Sequence, residues 1–322
     1  MNRSTRRAPS RIKRFVAGAV GIAVVGATLT TLAIASDTFG AGERWISVVN
    51  RVERFMAGPP PDRATVDTVL VTEPPEETEA PTPDPTPTPG QATQAAGGTA
   101  APTPEPTPTP TPKPQRKRVD FDIVDNPEAV FASQHHKDWC APAGVQTVLA
   151  ILGKVDTSDR TQIEIAAKVR QWEARSDSLN GDWGPSAMAL ALDAYGVPGY
   201  EVRAFETMTY ALRDAARAIK KTRSPVILLA WRGAHTWVMS GYRANADPSI
   251  FRDARIEGAY ILDPWYPRIS SIWGASNPPG TLTKFDELRE NFLRWRRPEG
   301  RYPSRDGLWI TVAPTIPRGD AA

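Results

Sequence analysis

The chain's only cysteine, Cys140, lies in the stretch 134–153, QHHKDWCAPAGVQTVLAILG, at what reads as the first turn of a helix. Val145, Val148, Leu149 and Leu152 recur at the spacing of one helical face. Pro142 suits a first-turn position, where an N–H has no intrahelical partner, and Gly153 can end the helix. A thiol placed there sits on the positive end of the helix dipole, which favours thiolate, the form that attacks carbonyl carbon. Six residues upstream, Gln134 carries an uncharged side-chain N–H. With the backbone N–H of Cys140 it would give two donors for a developing oxyanion.

Nucleophilic chemistry of this kind needs a base and something to orient it. His235 is the only histidine outside the Gln134 region, and it opens an apolar run just after Gly233 and Ala234. From a strand tip, an imidazole can take the thiol proton and later return it to a leaving amine. Asp263 ends another apolar run, where an acid is costly unless it has a partner. Accepting from the His235 ring would supply that partner and fix the tautomer. Each residue also has a plainer reading: a small buried hydrophobe for Cys140, a histidine satisfied by a carbonyl, a strand-ending turn at Asp263-Pro264, a solvated Gln134. Trp139 and Trp265 could wall a cleft or fill a core. His135 and His136 receive no role.

Three islands, Gln134 with Trp139-Cys140-Ala141-Pro142-Ala143, then Gly233-Ala234-His235-Thr236-Trp237-Val238, then Leu262-Asp263-Pro264-Trp265, come in the order Gln, Cys, His, Asp. In this the chain resembles the papain-like cysteine peptidases, and within them peptidase family thirty-nine and its relatives, whose bacteriocin-processing members cleave leader peptides. The resemblance covers roughly the C-terminal two thirds. It implies an α+β fold of two lobes, a helical one carrying the cysteine helix and an antiparallel sheet supplying the base. It further implies Cys140 as nucleophile, His235 as general acid and base, Asp263 as the residue that orients it, and Gln134 as oxyanion donor. No cofactor is implied, and the expected partner is a peptide or protein substrate. Papain has asparagine where Asp263 stands; aspartate agrees with family thirty-nine. Bacteriocin-processing members are often fused to a transporter, whereas this sequence has neither a multi-span segment nor a G-x-x-x-x-G-K-[ST] loop, so specificity for double-glycine leaders stays open. Two other readings of the same constellation are a non-catalytic cell-surface module that holds peptide, and a transglutaminase or peptidoglycan endopeptidase variant.

The elements that would position these residues follow from periodicity. Helices are expected over 161–175, over 187–195 with Ser186 as cap, and over 208–221. Short apolar runs at 225–231, 235–242, 259–265 and 308–312 read as strands, with a polar excursion at 243–258. Thr283 and Asp286 resemble a capping box opening a helix through Phe285, Leu288, Phe292, Leu293 and Trp295. Helices thus come first and strands second.

The remainder of the chain is of a different kind. From 15 to 35 run 21 residues without a charge, behind a basic tip of six Lys or Arg in the first 14 residues. This predicts a transmembrane signal anchor with a cytoplasmic N-terminus, or a cleaved signal peptide given Ala33-Ile34-Ala35 before Ser36. The domain would then be extracytoplasmic, on the cell membrane or secreted. Residues 36–72 read as a juxtamembrane segment, with Trp45, Val48, Val49, Val52, Phe55 and Met56 on one helical face. Residues 73–118 read as a Pro/Thr-rich disordered linker, a stalk reaching on the order of 100 Å when extended, closed by the basic Arg116-Lys117-Arg118. The globular domain is expected over 119–317. Of the formal charge of +3, the basic tip supplies six, so the rest carries −3, which gives no footprint for nucleic acid. One cysteine excludes an intramolecular disulfide and a thiolate-rich metal site, three histidines without an HExxH pattern point to no metal centre, and an exported lone thiol is exposed to oxidation.

Overall fold

The computed structural model describes residues 48, 52, 55, 56, 58–73, 114–178, 183–296 and 298–318. The expected membrane segment at 15–35 and nearly all of the Pro/Thr-rich tract lie outside them. Among the described residues, no helix is long and apolar enough to cross a membrane. Val48, Val52, Phe55 and Met56 are helical, and all four are exposed.

The elements run β1 (Thr68–Leu70), β2 (Val119–Asp122), α1 (Pro127–Val130), α2 (Cys140–Ile151), α3 (Asp159–Ala167), α4 (Pro185–Ala194), β3 (Tyr200–Phe205), α5 (Met208–Thr222), β4 (Val226–Ala230), β5 (His235–Ala244), β6 (Ile256–Leu262), β7 (Ile269–Ser270), β8 (Gly274–Ala275), β9 (Thr281–Lys284), α6 (Phe285–Asn291) and β10 (Trp309–Pro314). This is a mixed α+β fold. One sheet runs in the order β1-β3-β10-β4-β5-β6-β9, with β2 paired to β5, and β7 and β8 form a separate hairpin. Every pairing is antiparallel except β1 with β3.

Alternation along the strands feeds two apolar clusters, one on each face of the sheet. Val202, Ala204, Ile227, Leu229 and Val238 meet α2 and α4 through Val145, Leu149, Met188 and Leu192. Phe205, Val226, Leu228, Met239 and Tyr242 meet α5 and α6 through Leu212, Ile219 and Leu288. Strand β4, VILLA, is buried along its whole length because both of its faces are covered.

The sheet begins earlier in the sequence than expected. Strand β3 lies between α4 and α5, so helices and strands interleave; in YEVRAF, Tyr200, Val202 and Ala204 face the core while Glu201 and Arg203 are half-buried, a period-2 signal. Thr283 belongs to β9, and α6 starts at Phe285 with no side-chain cap, so the capping box does not form. Ser186 does not cap α4 either: the Asp177 carboxylate accepts from Ser186 N and Ala187 N at 3.2 and 3.0 Å, and Ser186 Oγ accepts from Val66 N. The excursion after β5 is pinned, through Arg217 to Pro248 O, Arg213 to Ala254 O and the Lys220–Asp247 pair.

The folded unit also extends N-terminally of residue 119. Strand β1 pairs in parallel with β3, Arg63 donates to the carbonyls of Gln171 and Arg170, and Arg213 pairs with Glu73. Residues 58–73, expected as part of a juxtamembrane segment, are an edge of the domain. On the far side of the Pro/Thr-rich tract, Arg116 pairs with Asp253 and Arg118 with Glu257.

Candidate active site

Cys140 is the first residue of α2, directly after Trp139, which supplies no side-chain cap. The Trp139 side chain therefore satisfies none of the early N–H groups of that turn. Helix α2 is buried nearly all round, and it comes close to β5 because Gly144 has no side chain: a Cβ there would sit 2.5 Å from Thr236 Cγ2. One turn after the cysteine on the helix, and one residue after the histidine on the strand, this contact sets how near the two can be. The thiol is partly exposed, with Sγ 3.9 Å from Ala234 O.

His235 opens β5 and is 2% exposed. Its Nε2 lies 2.6 Å from Asp263 Oδ1, and the Cys140 thiol, with Sγ 3.9 Å from the carbonyl of the preceding Ala234, is near enough to raise the imidazole's proton affinity. Since Nε2 is taken, Nδ1 is the ring nitrogen left for the thiol. Burial alone pushes the imidazole's affinity for a proton down. The charge and hydrogen bond of Asp263, together with Cys140, outweigh it and raise the pKa from 6.5 to about 9. The histidine is thus held as a cation between two partners.

Asp263 stands just past β6, half a turn into the strand-ending bend. Burial raises its pKa, but the His235 charge and hydrogen bonds from His235, Ser276 Oγ and Trp265 N leave it below the ordinary carboxylate value. Ser276 donates to Oδ2 at 2.6 Å and Trp265 N to Oδ1 at 2.9 Å. Both carboxylate oxygens therefore have donors.

The flat side of the imidazole has its own support. Trp231 stacks on His235 with ring centroids 3.9 Å apart and planes 18° apart, and Trp273 lies parallel on the other side of Trp231 at 5.8 Å. Trp231 Nε1 donates to Asn291 Oδ1 at 3.0 Å. Backbone strain accompanies this placement, because Trp231 and Arg232 take φ of 52° and 62°, a region that costs side-chain-bearing residues on the order of 1 kcal/mol each.

Gln134 is arranged differently. It is buried, with its backbone N–H donating to Pro264 O at 2.8 Å, which ties the pre-cysteine loop to the aspartate's own bend. Its side-chain Nε2 donates to His136 O at 2.7 Å, while Oε1 is buried without a partner among the described residues. The amide does not line the cavity at the thiol. The loop that carries it is clamped by Gln162 to His135 N and Ser133 O, and by Arg268 to the carbonyls of Gln134 and His135.

A cavity of about 410 Å³ opens at Cys140 and His235. Its far wall is built on a buried ion pair, Asp177 with Arg305 at 2.7 Å, each side chain 3% exposed. The same carboxylate caps α4, and the guanidinium lies over Tyr302 and Trp295, 4.3 and 4.9 Å from their ring centres. Gly184 is required beside it, since a Cβ would fall 2.1 Å from Asp177 Oδ2.

Residues 128–284 match the model of the Peptidase_C39 like family. Those residues are similar to the C39-like peptidases. The match runs from α1 to the end of β9 and contains Gln134, Cys140, His235 and Asp263. It supports a peptidase. No curated protein matches the chain. Among solved structures, the crystal structure of a double glycine motif protease from an AMS/PCAT transporter in complex with the leader peptide is similar, at 14% identity and a TM-score of 0.31, covering 61% of this chain and 99% of that one. Several supports of the C39-like site escaped the sequence reading: Trp231, Ser276, Asn291 and the Asp177–Arg305 pair. Only Trp231 left a signal, as an aromatic ending an apolar run four residues before the histidine.

Proposed function

We propose that this protein is a papain-like cysteine peptidase that cleaves a peptide bond through a thioester. The observation that carries the reading is the His235–Asp263 pair, Nε2 to Oδ1 at 2.6 Å, with His235 and the Cys140 thiol lining one cavity large enough for a peptide side chain. Cys140 thiolate attacks the carbonyl carbon of the scissile amide. His235, as imidazolium, gives its proton to the amine nitrogen, the C–N bond breaks, and the amine half leaves. A water then loses a proton to His235 and attacks the thioester carbon. Collapse releases the acid half, and the proton on His235 restores the ion pair. Asp263 keeps the ring oriented and favours its charged form. Gln134 would serve as an oxyanion donor by turning its amide away from His136 O, alongside the backbone N–H of Cys140.

The domain is read as extracytoplasmic, on the cell membrane through residues 15–35 or secreted after cleavage beyond Ala35. The exposed apolar residues Val48, Val52, Phe55 and Met56 just after that segment support a membrane-proximal position. The test is alkylation of Cys140 by iodoacetamide together with cleavage of a mixed peptide library, in wild type, Cys140→Ser and His235→Ala. Faster alkylation in wild type than in His235→Ala, with cleavage lost in both variants, is expected. Equal alkylation rates and no cleavage would overturn the reading. The peptide-holding module draws support from one observation, the Gln134 amide engaged with His136 O, and it predicts that second result.

A further inference from the structure

The cavity beside the thiol is walled by aromatic rings from separate parts of the chain: Trp183 before α4, Trp231 after β4, Trp265 after β6, and Trp295 with Tyr302 after α6. We propose that it takes a bulky aromatic side chain of the substrate, next to the scissile bond; this rests on the peptidase reading above. Substrate glycines would leave a space of about 410 Å³ with no partner atoms, so neither dispersion nor burial would be gained from those rings. An aromatic side chain occupies part of it and meets ring faces and edges.

The walls are fixed, so the space is not one that closes when empty. Trp295 N donates to Leu308 O at 2.7 Å and its own carbonyl accepts from Gly307 N at 3.0 Å. Gly233 lets the histidine's turn come against the Trp295 ring, where a Cβ would be 2.4 Å from Cε3. Arg305 lies over Trp295 and Tyr302 from behind, and its charge is met by Asp177, so the wall offers no net charge to a charged side chain. Four polar groups of the lining residues, Ser178 Oγ, Trp265 Nε1, Trp295 Nε1 and Tyr302 Oη, are buried with no partner among the described residues. These atoms lie behind the ring surfaces rather than on them, so what this wall offers a ligand is ring faces and edges.

The test uses the full chain and blocked peptides in which each position flanking the cleaved bond is varied among Gly, Leu, Phe, Tyr, Trp, Asp and Lys, with cleavage sites read by mass spectrometry. At one position, kcat/KM for the aromatic residues is expected to exceed that for glycine by about 100-fold or more. Trp295→Leu and Tyr302→Ala are expected to cut that ratio about 10-fold or more. Because either variant could fold poorly, the wild-type panel alone decides. Cleavage with glycine preferred at every position overturns the aromatic site and leaves the peptidase intact. No cleavage of any peptide, with Cys140 alkylated equally in wild type and His235→Ala, overturns the peptidase and this proposal with it.

Discussion

Asp263 stands on the sheet side of the site and Gln134 on the side of the loop before the cysteine helix, and their surroundings differ. Asp263 is held by three hydrogen bonds, from an imidazole, a serine hydroxyl and a backbone N–H. Gln134 gives its amide to the carbonyl two residues ahead and keeps an oxygen without a partner. The sheet side of the site is therefore fully hydrogen-bonded as it stands, whereas on the proposed reading the donor side would need the Gln134 amide to turn. Preorganisation is strongest where a charge must be stabilised in the resting protein, and weakest where charge develops only during reaction.

Removing the proposed nucleophile or its base should produce the largest effect. Cys140→Ser and His235→Ala are each expected to lower kcat/KM on a cleaved peptide on the order of 10⁴-fold, and the double variant hardly further, since the pair acts as a unit. Gln134→Ala provides the contrast. If its amide acts only in the transition state, kcat falls about 10²-fold with KM unchanged. An equal loss for Gln134→Ala and Asp263→Ala would erase the distinction between the two sides.

Next in size is the spacing between helix and strand. Gly144→Ala places a methyl 2.5 Å from Thr236 Cγ2 and is expected to cost about 1–3 kcal/mol in urea unfolding while separating Cys140 from His235. Thr236→Ser removes that methyl, so the double variant should recover most of both stability and alkylation rate. Additive losses would break the link.

Asp263→Asn keeps the shape and deletes the charge that raises His235. The basic limb of the pH–rate profile, near 9 in wild type, should move toward lower pH. The same shift has a stability signature. A histidine raised in the folded state stabilises fully below its ordinary 6.5, and that contribution is lost as pH climbs through about 9. Wild-type unfolding free energy should therefore fall between pH 6.5 and 9 more steeply than that of Asp263→Asn. The smallest effect is expected from Trp231→Leu, which removes a stacked ring worth about 0.5–2 kcal/mol to a cation and should shift the same limb down slightly; Trp231→Phe should restore most of it.

The distinction between what could and could not be read from the residues follows the same physics. Cys140, His235 and Asp263 were legible because each breaks a local pattern: a polar group at the end of an apolar run requires a partner. Strands β4, β5 and β6 were legible for their unbroken apolar runs. Ser276, Asn291 and Arg305 break no local pattern, and their roles arise from contacts with residues far away in sequence. Strand β1 is three residues long, with two of them exposed, so nothing in its composition announces that an edge position on β3 awaits it. Gln134 was placed correctly beside the cysteine loop, but the direction of its amide depends on a carbonyl within the same turn, a competition that spacing does not encode.

That short strand changes what the proline-rich tract can do. Residues 73 and 114 both belong to one folded body, so the forty residues between them form a closed excursion rather than a boom. A protease cut inside the excursion would not release the domain either: the N-terminal piece stays docked through β1 on β3, Arg63 on the 170–171 carbonyls and Val66 on Ser186, and the two fragments should migrate together until denaturant parts them.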